Sequence, residues 1–203
     1  DALTIMAPNI HHYPYTMAAL QRGLHVLCEK PLGMTAREAR LLAEAAERAG
    51  VTTMVPFTYR FMPANRFLKQ LQDEGWVGQP YHLNLRYYTG FGRSGEYAWR
   101  FDVGEAGSGI SGDLGSHWVD MARWYFGEIR AVTALFSHLV PRGPRPDGAP
   151  FEVAEDTALL LLEFENGATG SLHLSSLAHE PGPFGQRHEL DLHGSGGTLR
   201  AMC

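Results

Sequence analysis

Over its first 55 residues this chain alternates short apolar runs with helix-patterned stretches, and that alternation restricts the fold more than any other feature. Leu3-Thr4-Ile5-Met6-Ala7 is an apolar run ended by Pro8-Asn9; residues 12–22 carry apolar side chains near helical spacing and stop at Gly23; residues 24–28 are apolar again. Runs this short, bounded by turn residues, read as buried strands. Thr35 followed by Glu38 forms a capping box, the Ala-rich stretch behind it ends at Gly50, and residues 51–55 supply a third strand. Buried strands separated by helices pack as a parallel sheet with helices on its faces, and such a sheet opens its ligand crevice at the strand C-termini.

From Pro80 the pattern changes. Residues 81–88, 130–138, 157–165, 169–174 and 188–193 read as longer strands, and helices become rare. Between them lie Pro/Gly-rich connectors such as Pro141-Arg142-Gly143-Pro144-Arg145-Pro146 and Pro181-Gly182-Pro183, and Asn166-Gly167 marks a hairpin. The expected fold is therefore α/β followed by α+β. Residues 1–58 form part of a doubly wound parallel sheet, and residues 59–203 form a second unit around a mostly antiparallel sheet, with a helix over 63–73 as the bridge.

The chain starts without an initiator Met or a leader and stops just after a strand begins near Thr198, so it reads as a piece of a longer protein. A net charge of -5 with no dense Lys/Arg run argues against a nucleic-acid groove. The longest apolar stretch falls far short of the roughly 18 residues a membrane span needs. Two cysteines, Cys28 and Cys203, are too few for a disulfide framework, which points to a reducing compartment such as the cytoplasm.

Two groups of residues can carry chemistry. Glu29-Lys30-Pro31 follows the second strand, where the crevice opens, so Lys30 can stabilise an oxygen that gains negative charge; a solvated Glu-Lys pair explains the same residues. Asp113 and His117 stand at i and i+4 before a helical apolar pattern. They can share a proton, orient each other or both reach a substrate hydroxyl. An Asp near a helix start with a packed His one turn later accounts for them equally. A metal site using these two with His11, His12 or His25 lacks a matched third ligand, so no metal is expected. Gly104, Gly107, Gly109, Gly112 and Gly115 allow a tight backbone path into that helix, but no GxGxxG follows a strand anywhere in the 203 residues.

Taken together, Ala7-Pro8-Asn9 with His12, Gly23-Leu24-His25-Val26-Leu27-Cys28-Glu29-Lys30-Pro31, Trp99-Arg100-Phe101-Asp102 and Asp113-x-Gly115-x-His117 resemble Gfo/Idh/MocA-family NAD(P)-dependent oxidoreductases over nearly the whole chain. The resemblance implies that residues 1–58 are the C-terminal portion of a Rossmann domain and that 59–203 form a substrate and oligomerisation domain. It implies NAD or NADP as cofactor, a sugar, polyol or cyclitol-like substrate, and a homo-oligomer built through the second sheet. It places Pro8, Asn9, His12, Glu29 and Lys30 along the cofactor. Lys30 then orients the reacting oxygen, His117 exchanges the hydroxyl proton, and Asp113 positions the substrate or His117. Tyr59-Arg60-Phe61 stands where many relatives have Asn-x-Arg, so only Arg60 is carried over, as a nicotinamide-side contact. Without a fingerprint turn the chain by itself is expected to be inactive. Two other readings stay open: a non-catalytic relative serving as an assembly or ligand-binding module, and a hydrolase or lyase using Asp113 and His117.

Overall fold

In the computed structural model, which describes residues 1–180 and 185–202, the first three apolar runs pair as a parallel sheet in the order β1 (Ala2–Ile5), β2 (His25–Cys28), β3 (Thr53–Met54). The third strand is shorter than its apolar run, because only two of its residues pair with β2. Between the strands lie α1 (His12–Leu20), entered through a 3-10 turn at Asn9–His11, and α2 (Ala36–Ala49). Thr35 Oγ1 accepts the Glu38 amide at 3.1 Å, while the Glu38 carboxylate accepts the Met34 amide at 2.7 Å. Gly50 closes α2 at φ +63°, a left-handed conformation that costs glycine little. Ile5, Leu20, Val26, Cys28 and Leu42 bury the resulting interface, each large side chain contributing about 1.5–3 kcal/mol of transfer free energy.

The second sheet has six strands in the order β5-β6-β7-β4-β8-β9: β4 (Pro80–Thr89), β5 (Ile129–Ser137), β6 (Thr157–Phe164), β7 (Thr169–Ser175), β8 (Gln186–Gly194) and β9 (Thr198–Met202). Its pairings are antiparallel except β4 with β7. The predicted α/β then α+β class therefore holds. Helix α3 (Pro63–Asp73) links the two sheets, and the short helices α4 (Val103–Ala106) and α5 (Ile110–Asp113) lead into α6 (Gly115–Phe126).

Register explains how the sheet takes α6. Leu160, Leu172, Leu85 and Leu190 stand side by side across four strands, and Trp118, Met121, Tyr125 and Phe126 of α6 pack on that side. Period-2 alternation sends the intervening residues to the opposite face, where Thr133, Leu161, Ser171, Asn84, Asp191 and Arg200 form another row. The Asn166-Gly167 hairpin forms as a three-residue turn: Phe164 N donates to Ala168 O at 2.9 Å and Gly167 takes φ +86°. Asn166 keeps a negative φ and instead donates to Phe126 O and accepts from Ala168 N. The Pro181-Gly182-Pro183 connector and Cys203 lie outside the described residues. Among the described residues no helix is long and apolar enough to cross a membrane.

Candidate active site

The two loops leaving the parallel strands are tied together by a buried histidine. The ring nitrogens of His12 lie 2.7 Å from Pro31 O and 2.8 Å from Ala7 O. This arrangement fixes the Lys30-Pro31 turn, whose peptide is cis, against the Pro8-Asn9 loop, and it leaves His12 1% exposed. Asn9 Nδ2 donates to Ala106 O at 2.9 Å, so the first loop is anchored to α4.

Lys30 reaches across the same seam. Its Nζ donates to Asp113 Oδ1 at 2.6 Å and to Asp113 O at 2.8 Å, with both side chains mostly buried. Arg100 stacks over Trp99 and puts its Nε 3.5 Å from Asp113 Oδ2. The i, i+4 spacing allows Asp113 and His117 to share a proton, orient each other or both reach a substrate hydroxyl, and both line one cavity. The Asp113 carboxylate faces the two cations, and His117 Nδ1 is buried with no hydrogen-bond partner among the described residues. Asp113 ends α5, whereas His117 lies in α6, beyond Leu114.

Burial holds His117 neutral, pushing its pKa down to about 4; the Lys30 charge and His188 push the same way and Asp113 opposes them. Tyr59 presents its ring edge-on to His117 at 4.7 Å and hydrogen-bonds through its hydroxyl to Tyr87 at 2.5 Å. Burial raises the pKa of both phenols and depresses His188 to about 4. At neutral pH this corner holds a proton-accepting imidazole beside un-ionised phenols.

Two cavities meet at Lys30, Arg100 and Asp113. One, of about 310 Å³, lies at the C-terminal ends of the parallel strands and is lined by Met6, Pro8, Asn9, Glu29, Trp99 and Ser108 among others. The other, of about 370 Å³, is lined by Tyr87, Thr89, Phe91, Leu114, His117 and Gln186. The structure thus brings Pro8, Asn9, Glu29, Lys30, Asp113 and His117 to one seam. His12 stands behind it as a staple. Arg60 lines neither cavity; its guanidinium is bidentate to Asp120 at 2.7 and 2.5 Å. Sequence reasoning did not single out Tyr87, Thr89, Gln186 or His188, and it met Arg100 only as part of a motif. Among the described residues no group of three or more His, Cys, Asp or Glu side chains is arranged to hold a metal.

Residues 1–57 match the family model described as oxidoreductase family, NAD-binding Rossmann fold, and residues 65–200 match the GFO/IDH/MocA C-terminal domain. Levoglucosan dehydrogenase of Pseudarthrobacter phenanthrenivorans is 31% identical over 96% of this chain and 53% of its own length. A 1,5-anhydro-D-fructose reductase of Ensifer adhaerens is 30% identical over 85% of the chain and 50% of its own length. Among solved structures, levoglucosan dehydrogenase in complex with NADH and levoglucosan superposes with a TM-score of 0.90 at 32% identity, covering 99% of this chain and 54% of that one. The chain spans about half the length of the curated relatives it matches.

Proposed function

This chain belongs to the GFO/IDH/MocA oxidoreductase family, and from that premise we propose that it carries the reacting seam of an NAD(P)-dependent dehydrogenase acting on a hydroxyl or carbonyl of a sugar, polyol or cyclitol. One observation carries this reading: the Lys30 ammonium, held on Asp113, forms the wall between a cavity at the parallel strand ends and a cavity that contains His117. The first cavity fits a dinucleotide's nicotinamide end. It opens where a doubly wound sheet binds nucleotides, and Pro8, Asn9, Glu29 and Lys30 line it.

When bound, the nicotinamide supplies the hydride acceptor or donor. In the oxidising direction Lys30 donates a hydrogen bond to the substrate oxygen and stabilises the negative charge that grows there. His117, neutral in its buried pocket, accepts the hydroxyl proton. Asp113 positions Lys30 by holding two of its three ammonium hydrogens, one on the carboxylate and one on its main-chain carbonyl. His12 and Arg60 act as positioning residues in this scheme: His12 fixes the Lys30 turn and Arg60 fixes α6 through Asp120.

In the full-length protein carrying this chain, Lys30→Ala and His117→Ala should each lower kcat by roughly a hundredfold or more. Near-normal turnover in either variant removes its assigned role. Calorimetric titration of NAD⁺ and NADP⁺ should show tighter binding by the full-length protein than by these 203 residues, which contain no GxGxxG turn. Failure of both to bind would favour a non-catalytic ligand-binding relative, and a redox-neutral product would favour a lyase.

We further propose self-association through the face of the second sheet opposite α6. Leu135, Leu159 and Leu161 there are 62%, 43% and 63% exposed, an apolar strip of the kind that marks association surfaces. Leu161→Asp should lower the mass measured by light scattering; an unchanged mass in variant and parent would reject this face.

A further inference from the structure

The α6-facing positions of the β4/β8 ladder change character along their length. On β4 they read Leu83, Leu85, Tyr87, Thr89, and their register partners on β8 read Leu192, Leu190, His188, Gln186. The four leucines are at most 1% exposed and follow the pattern expected of a core-facing strand. The next two pairs break it although Tyr87, Thr89 and His188 are also buried. Two of these side chains leave a polar atom unsatisfied: Thr89 Oγ1 and His188 Nε2 are shielded from solvent and have no hydrogen-bond partner among the described residues. Such groups carry an uncompensated desolvation cost, so a strand end with only a structural task would retain apolar residues. The break falls where the ladder enters the cavity that holds Lys30 and His117, which Tyr87, Thr89 and Gln186 all line. Breaks in a local rule concentrate at functional sites.

We propose, on the footing of the dehydrogenase reading above, that the Tyr87, Thr89 and Gln186 end of this ladder selects the substrate by its hydroxyl pattern and admits a neutral, unphosphorylated sugar or cyclic polyol. These three groups are both donors and acceptors, as hydroxyl recognition requires. Tyr59 accounts for one hydrogen bond of the Tyr87 hydroxyl, and Gln186 Oε1 lies 3.3 Å from the same oxygen, so the phenol and the amide are pre-set relative to each other. Among the described residues Thr89 Oγ1 has no hydrogen-bond partner, and because its side chain lines the cavity a rotation about χ1 can turn this shielded hydroxyl to the ligand.

Charge placement argues for neutrality. The cavity's two cations, Lys30 and Arg100, both face the Asp113 carboxylate, at the seam where the reacting oxygen would lie. The far wall of Tyr87, Thr89, Phe91, Leu114 and Gln186 carries no ionised group. Arg187 follows Gln186 in the chain but points to the other sheet face, where it pairs with Glu189. A phosphate on a carbon remote from the reacting one would therefore meet neutral groups and lose hydration without a counter-charge. Phe91 and Leu114 offer apolar surface to the C–H face of a ring.

The test is steady-state nicotinamide reduction by the full-length protein with a panel of neutral sugars, anhydro-sugars and cyclitols and their phosphorylated counterparts. Thr89→Val, which keeps the shape and removes the hydroxyl, and Gln186→Leu should each lower kcat/KM for the best neutral substrate by roughly fivefold to thirtyfold. The change should fall mainly on KM, with dinucleotide affinity unchanged. Thr89→Ser should retain parent values, which separates the hydroxyl's role from packing. Gln186→Lys should shift the ratio of kcat/KM toward phosphorylated substrates by tenfold or more. Parent-like kinetics in both Thr89→Val and Gln186→Leu, or a parent enzyme that prefers phosphorylated substrates, overturns this inference while leaving the dehydrogenase reading intact. Absence of nicotinamide reduction with every substrate overturns that reading and this inference with it.

Discussion

Lowering the pH from 7 to 5 should destabilise this protein through two histidines that fold in their neutral form. His117 and His188 are 8% and 7% exposed, and burial is the largest cause of the fall of each from 6.5 to about 4. The sign follows from proton counting. Between pH 6.5 and 4 the unfolded chain binds protons at these sites and the folded chain does not, so stability rises with pH across that window and is lost as pH falls. At pH 7 the folded rings are almost entirely neutral and about a quarter of the unfolded ones carry a proton. At pH 5 the unfolded rings are nearly all protonated and the folded ones about one tenth, which makes the loss on the order of 2 kcal/mol per histidine and about 4 kcal/mol for the pair.

Urea unfolding at pH 7 and pH 5 measures this for the parent, His117→Phe and His188→Phe. Carboxylates and the other histidines change little between variants, so the difference in pH-dependent loss isolates the substituted ring. Each single variant should lose about 2 kcal/mol less than the parent on acidification, whatever its stability at pH 7. A His188→Phe protein as acid-sensitive as the parent would refute the reasoning, because burial without a hydrogen-bond partner would then not be holding that ring neutral.

Three further outcomes follow from the same geometry. Lys30→Met removes the second-largest cause of the His117 depression, so an NMR titration of His117 should move upward yet stay below 6.5, because burial persists. Asp113→Asn leaves Lys30 its bond to the main-chain carbonyl but weakens a charge-assisted one, a loss of about 2 kcal/mol and so a fall in kcat/KM of roughly thirtyfold; parent-like kinetics would return Asp113 to a purely structural place. Gly109→Ala puts a Cβ 2.0 Å from Glu155 O, a backbone atom that also accepts the Ile110 amide, and should cost about 3 kcal/mol in chemical denaturation. A neutral result there would mean that the approach to α5 is looser than the structure has it.

Local signals gave the fold and only part of the site. Gly23 and Gly50 end helices because they reach φ +68° and +63°, and Thr35 caps α2 through its hydroxyl; both effects depend on neighbours within a turn, so both are visible in sequence. Lys30 to Asp113 is an 83-residue contact. Spacing could match Asp113 only with the nearest imidazole, whereas the hydrogen bonds it accepts from a cation come from Lys30. Arg60 finds Asp120 for the same reason: its partner lies 60 residues away and no periodicity connects them. The polar end of the β4/β8 ladder left a trace, since Leu83, Leu85, Tyr87, Thr89 departs from its own alternation. The trace acquires meaning only with the register, which sets His188 beside Tyr87 and Gln186 beside Thr89.

On the dehydrogenase reading proposed above, the site needs Lys30 and His117 in opposite protonation states at one pH. Stabilising an alkoxide requires a cation that keeps its proton, while accepting the hydroxyl proton requires a neutral base, and the two must stand close enough to meet one carbinol. Placing a lysine beside a histidine helps by itself, because the ammonium disfavours a second positive charge on the ring, and that repulsion is among the causes of the His117 shift. The Asp113 carboxylate works against it, raising His117, so a free acid beside the ring would undo the arrangement. Its position resolves the conflict: both oxygens face Lys30 and Arg100, and the joint at Leu114 separates it from the imidazole one turn on. The Asp113 carboxylate thus anchors the cation, while burial, with the Lys30 charge, keeps the base uncharged in spite of it.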